Sequence, residues 1–598
     1  MLNLREIETA AYGRGPGRIR LLLKVLNELA VAPPLPADQQ LPVYTRLAAA
    51  MGAILTDPQL TLGPDDMADL FSIQAKLTNL LQASGFRGSN HLAGLLPDHL
   101  QPLVSIDTAV DLDLNRMPAR AGDLALVACL TALSTLPLLT AQGERRREAC
   151  LQLIANGELG EIPAKMGSVM LATNGWMLCS YALGADKHAI KQTLNRAFRD
   201  LQGRLGLAAG PQLPRTPLKA RPTLVFCAEV INSAHVQYRY YGQYLRQLRS
   251  RFRLVLVAPD SQVDAAVPPL FDQVVTFAVS QKGEHLYSAL NAIRAAQPDI
   301  LFWPSLGMSN WGPVLANMRL APIQVVAIGH PASTFIPEMD YMLLEEGFVD
   351  DPTAFSERLI LLPDQALRLE PSPGYRPVTP QIRAKAEPLR IALPCSLMKL
   401  NPSFVALLGR IRDRAAQSGR RVEYHLFPNA PALQVAAFRA EHDPRLGTPV
   451  IHPSLALNAY LEAVNLCDMA LSPFPFGGFH SVIDGLRQGL PVVAMDAPSN
   501  PVKTDRMLLR LLELPDWLVA SNEDAYEAAA LRIILDDELR VTLSQQALDT
   551  RIDQRLFADG TRPLRAEVAD AMWAIYQHHE AIQASPARAL RMPELAKL

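Results

Sequence analysis

The chain has 598 residues, and its 57 lysines and arginines against 59 aspartates and glutamates leave a formal net charge of −2. That length exceeds what one hydrophobic core can organise, so several domains are expected. With 49% apolar and only 19% charged residues the composition excludes intrinsic disorder, and its near-neutrality excludes charge-driven binding of nucleic acid or of an acidic membrane. A nucleotide partner therefore has to be held by a local site.

The first stretch, residues 1–210, reads as an all-α domain. Its opening, MLNLREIETAAYGRGPGRIR, lacks the apolar core of a signal peptide. Apolar residues then recur at helical spacing in Ile19, Leu22, Leu23, Val25, Leu26 and Leu29, and again in Met67, Leu70, Phe71, Ile73, Leu77 and Leu80. Residues 124–141 carry no charge, yet they are short for a bilayer span and contain Pro137, so a buried helix is expected there. Residues 206–222 are proline-rich and aperiodic and read as a linker.

The pattern then changes. Short β-branched runs at 223–230, 253–258, 273–279, 300–303 and 324–329 alternate with amphipathic stretches, which implies βαβ units around a parallel sheet. This predicts a first Rossmann-like domain over 220–370. A second proline-rich segment occupies 370–388. The alternation restarts with runs at 389–393, 422–427, 449–452, 468–471 and 491–495, predicting a second Rossmann-like domain over 385–598 that ends in helices. The fold class is α/β behind an all-α domain. Ligands of such units bind at the carboxyl ends of the strands, here across a cleft between them.

Candidate site residues sit at those strand ends. The segment 472–485, SPFPFGGFHSVIDG, leaves a buried strand through Gly477 and Gly478 and enters a helix near Ser481, whose free N–H groups suit a phosphate. Asp484, one turn further, can accept ribose hydroxyls. In 396–402, SLMKLNP, Ser396 and Lys399 follow the first strand of the second unit, and a lysine there can neutralise a diphosphate. His235 in NSAHVQYR, His330 in GHPAS and His452 in IHP lie at equivalent ends, where a neutral imidazole can move a proton. No G-x-G-x-x-G follows a strand, no P-loop is present, and neither H-E-x-x-H nor C-x-x-C supports a metal. The six cysteines are scattered and unpaired in sequence, as in a reducing cytoplasm.

These segments, in this order, resemble the HMW1C-like cytoplasmic N-glucosyltransferases of bacteria, relatives of the eukaryotic O-GlcNAc transferase. The likeness spans essentially the whole chain. It is densest around His235 with Tyr238 and Arg239, in 329–333 with 339–341 (MDY), in 398–402, in 467–469 (CDM) with 473–477 (PFPFG), and in 514–518 (LPDWL). It implies a GT-B fold of two Rossmann-like domains, the first on the acceptor side and the second on the UDP-sugar side. It further implies inverting, metal-independent transfer of glucose from UDP-glucose to Asn in Asn-x-Ser/Thr of polypeptides, with secreted adhesins as typical acceptors. No cofactor, nucleic acid or membrane span belongs to this picture. Carried over by position, His235, Arg239 and His330 become the catalytic candidates. Lys399, Ser396, Asn429, Gly477, Gly478, His480, Ser481, Asp484 and Asp505 become the donor-binding ones. The alternatives are transfer to Ser or Thr, and a degenerate transferase that serves as an adaptor.

The chain departs from the family where the donor would sit. Gly478-Phe479-His480-Ser481 replaces the usual Asn-Thr-Asn-Gly, Asn429 stands where Gln is usual, Ser454 replaces a His, and 497–505 keeps mainly Asp505. These changes bear on sugar identity more than on fold.

Overall fold

A computed structural model describes residues 4–12, 17–157, 159–207, 217–280, 283–558 and 565–597. Among the described residues, everything up to helix Ile190–Arg204 is helical or irregular. Within the uncharged stretch Ala125–Leu133 forms a helix, and all nine of its residues are buried. It has no polar face because neighbouring helices, Ala141–Asn156 and Met166–Leu178 among them, enclose it. No helix among the described residues is long and apolar enough to cross a membrane. Of the linker at 206–222, residues 208–216 lie outside the described residues.

Seven strands follow: β1 (Thr223–Cys227), β2 (Arg253–Pro259), β3 (Gln273–Phe277), β4 (Ile300–Trp303), β5 (Ile323–Ala327), β6 (Tyr341–Glu345) and β7 (Arg358–Leu362). Residues 370–388 then run without helix or strand. The second unit contributes β8 (Leu389–Leu393), β9 (Val422–Leu426), β10 (Val450–Ile451), β11 (Met469–Leu471), β12 (Val492–Met495) and β13 (Val519–Ala520), and β14 (Ala589–Arg591) follows near the end of the chain. The two sheets have the orders β14-β7-β6-β5-β4-β1-β2-β3 and β10-β9-β8-β11-β12-β13. Every pairing in them is parallel. Strand β4 is buried at every position, so it reads as an unbroken apolar run rather than as an alternation. In each sheet the order reverses beside the first strand, between β1 and β4 and between β8 and β11. The crevice at such a switch point is where doubly wound sheets hold ligands.

The end of the chain departs from the expected second unit. Helix Glu567–Ala584 packs on helix Val236–Leu248 of the first unit, and Val568 N donates to Gln247 Oε1 (3.1 Å). Strand β14 then pairs with β7, Leu590 opposite Ile360. The helix buries Val568, Ala571, Met572 and Ile575, and the added strand covers an edge that β7 would otherwise expose.

The units meet along a polar seam. Val349 and Val502 form an isolated antiparallel bridge, Lys503 N donates to Phe348 O (2.9 Å), and Arg506 reaches Asp350 (2.5 Å) and Asp496 (3.0 Å). The helical domain touches both units. Asn195 Nδ2 donates to Thr334 O (3.0 Å) in the first, and Ser403 Oγ of the second donates to Glu144 Oε2 (2.5 Å).

Candidate active site

Two loops of the second unit build one wall. Beyond β8, Leu397–Lys399 makes a 3-10 turn, and Asn401 caps helix Pro402–Gln417 by accepting from Phe404 N (2.9 Å). Proline at the first helical position costs no hydrogen bond. Asn401 Nδ2 donates to Phe474 O (2.5 Å), which ties this loop to the one after β11. Lys399 Nζ donates to Gly477 O (2.6 Å) and lies 4.7 Å from the centre of the Phe476 ring. Burial lowers its pKa, against the opposing pull of Asp505.

Asp505 shapes the second loop. Its carboxylate accepts from Ser472 Oγ (2.5 Å), Gly478 N (2.9 Å) and Phe479 N (2.9 Å). The loop passes so close that a Cβ at Gly477 would fall 2.5 Å from Asp505 Oδ2, so only glycine fits. Phe479 takes φ +33°, a conformation that a bulky residue adopts only when its surroundings impose it. Helix His480–Arg487 starts immediately after. Expected to bind the donor, Asp505 instead has both carboxylate oxygens committed to holding the loop.

The opposite wall comes from the first unit. His235 caps helix Val236–Leu248, its Nδ1 accepting from Gln237 N (3.3 Å), and partial burial lowers its pKa, so it stands as a neutral base. Arg239 lies one turn on. Its guanidinium meets Asp484 of the second unit in a two-pronged pair, 3.0 Å from Oδ1 and 3.3 Å from Oδ2. Arg487 approaches the same carboxylate at 3.6 Å. Arg239 and Asp484, expected to face sugar and nucleoside, thus answer each other in this structure. Their complementary charges, both withdrawn from water, account for the pairing.

His330 also departs from expectation. Its buried ring packs against Trp176, and its Nε2 lies 3.2 Å from Ser180 Oγ and 2.9 Å from Lys191 Nζ, all in the helical domain. Burial and the neighbouring Lys191 hold its pKa well below the usual value. The loop that carries it still reaches the cleft through Gly329 and Pro331.

Between the walls lies a cavity of about 200 Å³, lined among others by Gln237, Tyr240, Gly329, Lys399, Phe476 and His480. Gly477 and Gly478 line it as well, so four of the expected donor-side residues share one space. His480 Nδ1 is buried without a hydrogen-bond partner, and burial and then Arg239 hold its pKa well down, so the ring is neutral. Ser481 Oγ donates back to Gly478 O (3.3 Å). Ser396 and Asn429 stand outside the lining: Ser396 O accepts from Lys399 N (3.0 Å), and exposed Asn429, at φ +42°, accepts from Ser454 Oγ (2.6 Å).

Sequence reasoning misses Tyr240, which lines the cavity and whose Oη donates to buried Glu345 (2.7 Å). The crowding of tyrosines at 238, 240, 241 and 244 is the available signal. Nothing in the sequence points to Ser180, Tyr181 and Lys191, which reach the walls of the cleft from a separate domain. Among the described residues, no group of three or more His, Cys, Asp or Glu is placed to hold a metal ion.

Comparison with known proteins agrees with this fold. Residues 116–201 match the family model described as HMW1 domain 2. Over 562 residues, 88% of each chain, the protein is 28% identical to the UDP-glucose:protein N-beta-glucosyltransferase of Actinobacillus pleuropneumoniae serotype 5b. A stretch of 239 residues, 38% of this chain and 25% of the relative, is 28% identical to the probable UDP-N-acetylglucosamine–peptide N-acetylglucosaminyltransferase SPINDLY of Solanum lycopersicum. Among solved structures, a mutant O-GlcNAc transferase of Thermobaculum terrenum shares the fold with a TM-score of 0.58 at 15% identity, over 98% of this chain and 99% of that one. The chain is thus similar over most of its length to a UDP-glucose:protein N-beta-glucosyltransferase, and it has a helical domain ahead of the two Rossmann-like domains of a GT-B glycosyltransferase fold.

Proposed function

We propose that the protein is an inverting glycosyltransferase that moves glucose from UDP-glucose to the side-chain nitrogen of Asn in Asn-x-Ser/Thr sequences, with no metal ion. The observation that carries this reading is Lys399 at the carboxyl end of β8, its ammonium held on the Gly477 carbonyl inside the inter-unit cavity. Likeness over 88% of the chain to an enzyme named for UDP-glucose and protein supports it.

In the reaction the amide nitrogen of the acceptor bonds to the anomeric carbon. The bond from that carbon to the diphosphate oxygen breaks, and its electron pair leaves with UDP. Lys399 meets the charge that develops on the leaving diphosphate, as a fixed cation in a site of low polarity. The proton of the amide goes to a base, for which His235 is the candidate. Its Nδ1 accepts from the Gln237 N–H, so the neutral ring carries its hydrogen on Nε2, and a proton is taken at Nδ1 only as that capping bond opens. Arg239 is held by Asp484 and acts on the site by fixing the two units against each other. The six cysteines are all buried and free, which suits a reducing cytoplasm and action on polypeptides, adhesins among them, before export.

A second reading has Ser or Thr as the acceptor, and the partial likeness to SPINDLY, named as a peptide N-acetylglucosaminyltransferase, keeps it beside the first. Incubation with UDP-glucose and an Asn-x-Thr peptide, followed by mass mapping of the product, separates the two. A hexose on Asn supports the first reading and a hexose on Thr the second. No sugar from any UDP-sugar, with UDP still bound, contradicts both.

A further inference from the structure

The helical domain reaches both walls of the cleft through one three-residue turn, Cys179–Tyr181. On the first unit's side, Ser180 Oγ lies 3.2 Å from His330 Nε2. Lys191, fully buried, donates to Ser333 O (2.8 Å) and lies 2.9 Å from the same imidazole nitrogen. These contacts hold the 328–333 loop, whose Ile328, Gly329 and Pro331 line the cavity. On the second unit's side, the Tyr181 ring stacks on Phe476, with centroids 4.8 Å apart and planes inclined by 24°. Phe476 is the ring against which the Lys399 ammonium rests.

The turn itself is rigidly placed. Arg147 Nη2 donates to Tyr181 O (3.1 Å), and Cys179 is buried. Trp176 lies so close to Gly307 that a Cβ there would sit 2.9 Å from the indole, and Lys191 Nζ lies 4.0 Å from the centre of the same indole. A flexible four-carbon lysine stem has many rotamers, and one of them has to be selected if its charge is to meet a diphosphate. An aromatic face within cation–π distance selects it only while that face is itself fixed.

We infer that Tyr181 is a positioning residue for Lys399: its ring pins Phe476 as the platform for the ammonium, so the helical domain sets the geometry of the diphosphate site. The inference rests on the proposed reading of the cavity as a UDP-sugar site. The contact is made by the ring, so phenylalanine at 181 preserves it.

The test is calorimetric titration of the full chain with UDP alone, for wild type, Tyr181→Ala, Tyr181→Phe, Lys399→Ala and the double variant Tyr181→Ala/Lys399→Ala. Tyr181→Leu serves if the alanine variant does not fold. Tyr181→Ala is expected to weaken UDP binding by about fivefold or more, and Tyr181→Phe by less than about twofold. In the double variant UDP binds no more weakly than in Lys399→Ala alone. Wild-type affinity in Tyr181→Ala, an equal loss in Tyr181→Phe, or full additivity with Lys399→Ala overturns the role of Tyr181 and leaves the site reading intact. A wild type that does not bind UDP overturns the site reading, and this inference with it.

Discussion

Arg239 and Asp484, on helices of different units, face each other at 3.0 and 3.3 Å with side chains only 7% and 5% exposed. A buried pair of this kind is weak evidence of net stabilisation, but removal of Asp484 strands Arg239 away from water at a cost of about 3–5 kcal/mol, and removal of Arg239 leaves Asp484 only the more distant Arg487, 3.6 Å away. Arg239→Met or Asp484→Asn alone is therefore expected to lower the thermal midpoint clearly. The combined Arg239→Met/Asp484→Leu variant recovers most of the loss. Singles that melt like wild type would show that the units are held elsewhere along the seam.

Lys399 carries the charge of the proposed donor site. Loss of a charge-assisted contact to phosphate costs about 1.5–3 kcal/mol, so Lys399→Ala should weaken UDP binding by roughly ten- to a hundredfold. Calorimetry with UDP reads this directly, and unchanged affinity would remove Lys399 from the donor site.

The same lysine sets a pH dependence. Burial lowers its pKa, so the free protein loses the ammonium at lower pH than an ordinary lysine would. UDP affinity is then expected to hold below that pKa and to fall as pH rises through it. Lys399→Arg keeps its charge throughout, so its affinity profile should stay flat over the same range. Parallel profiles for the two proteins would contradict the assignment.

His480 departs from the amide that the family resemblance implies at this place, and its unpartnered Nδ1 is buried in a pocket flanked by Arg239, His235, Lys399 and Arg487. His480→Asn is expected to keep or improve transfer of glucose, measured as turnover with UDP-glucose. Complete loss of transfer would show that the loop is adapted to another donor.

Much of this arrangement is legible in local pattern. Central parallel strands are apolar on both faces, so β1, β2, β4 and β8 stand out in the sequence as short apolar runs. Strands β6 and β7 are equally apolar but lie close behind β5, where no amphipathic helix separates them, so the alternating pattern passes over them. Strand β14 is three residues long and owes its conformation to the β7 edge rather than to its own composition. The site follows the same division. Lys399, Gly477 and His480 are legible as strand ends followed by helix starts. The pairing of Arg239 with Asp484, the turning of His330 into the helical domain and the reach of Tyr181 to Phe476 all depend on how separate domains dock, which no local spacing encodes.

The central claim is transfer of glucose to asparagine. Mass mapping of an Asn-x-Thr peptide after incubation with UDP-glucose tests it most directly. The account predicts a gain of one hexose on the Asn side chain, lost or strongly reduced in Lys399→Ala. A peptide left unmodified by a protein that binds UDP, or modified only on Thr, would contradict it.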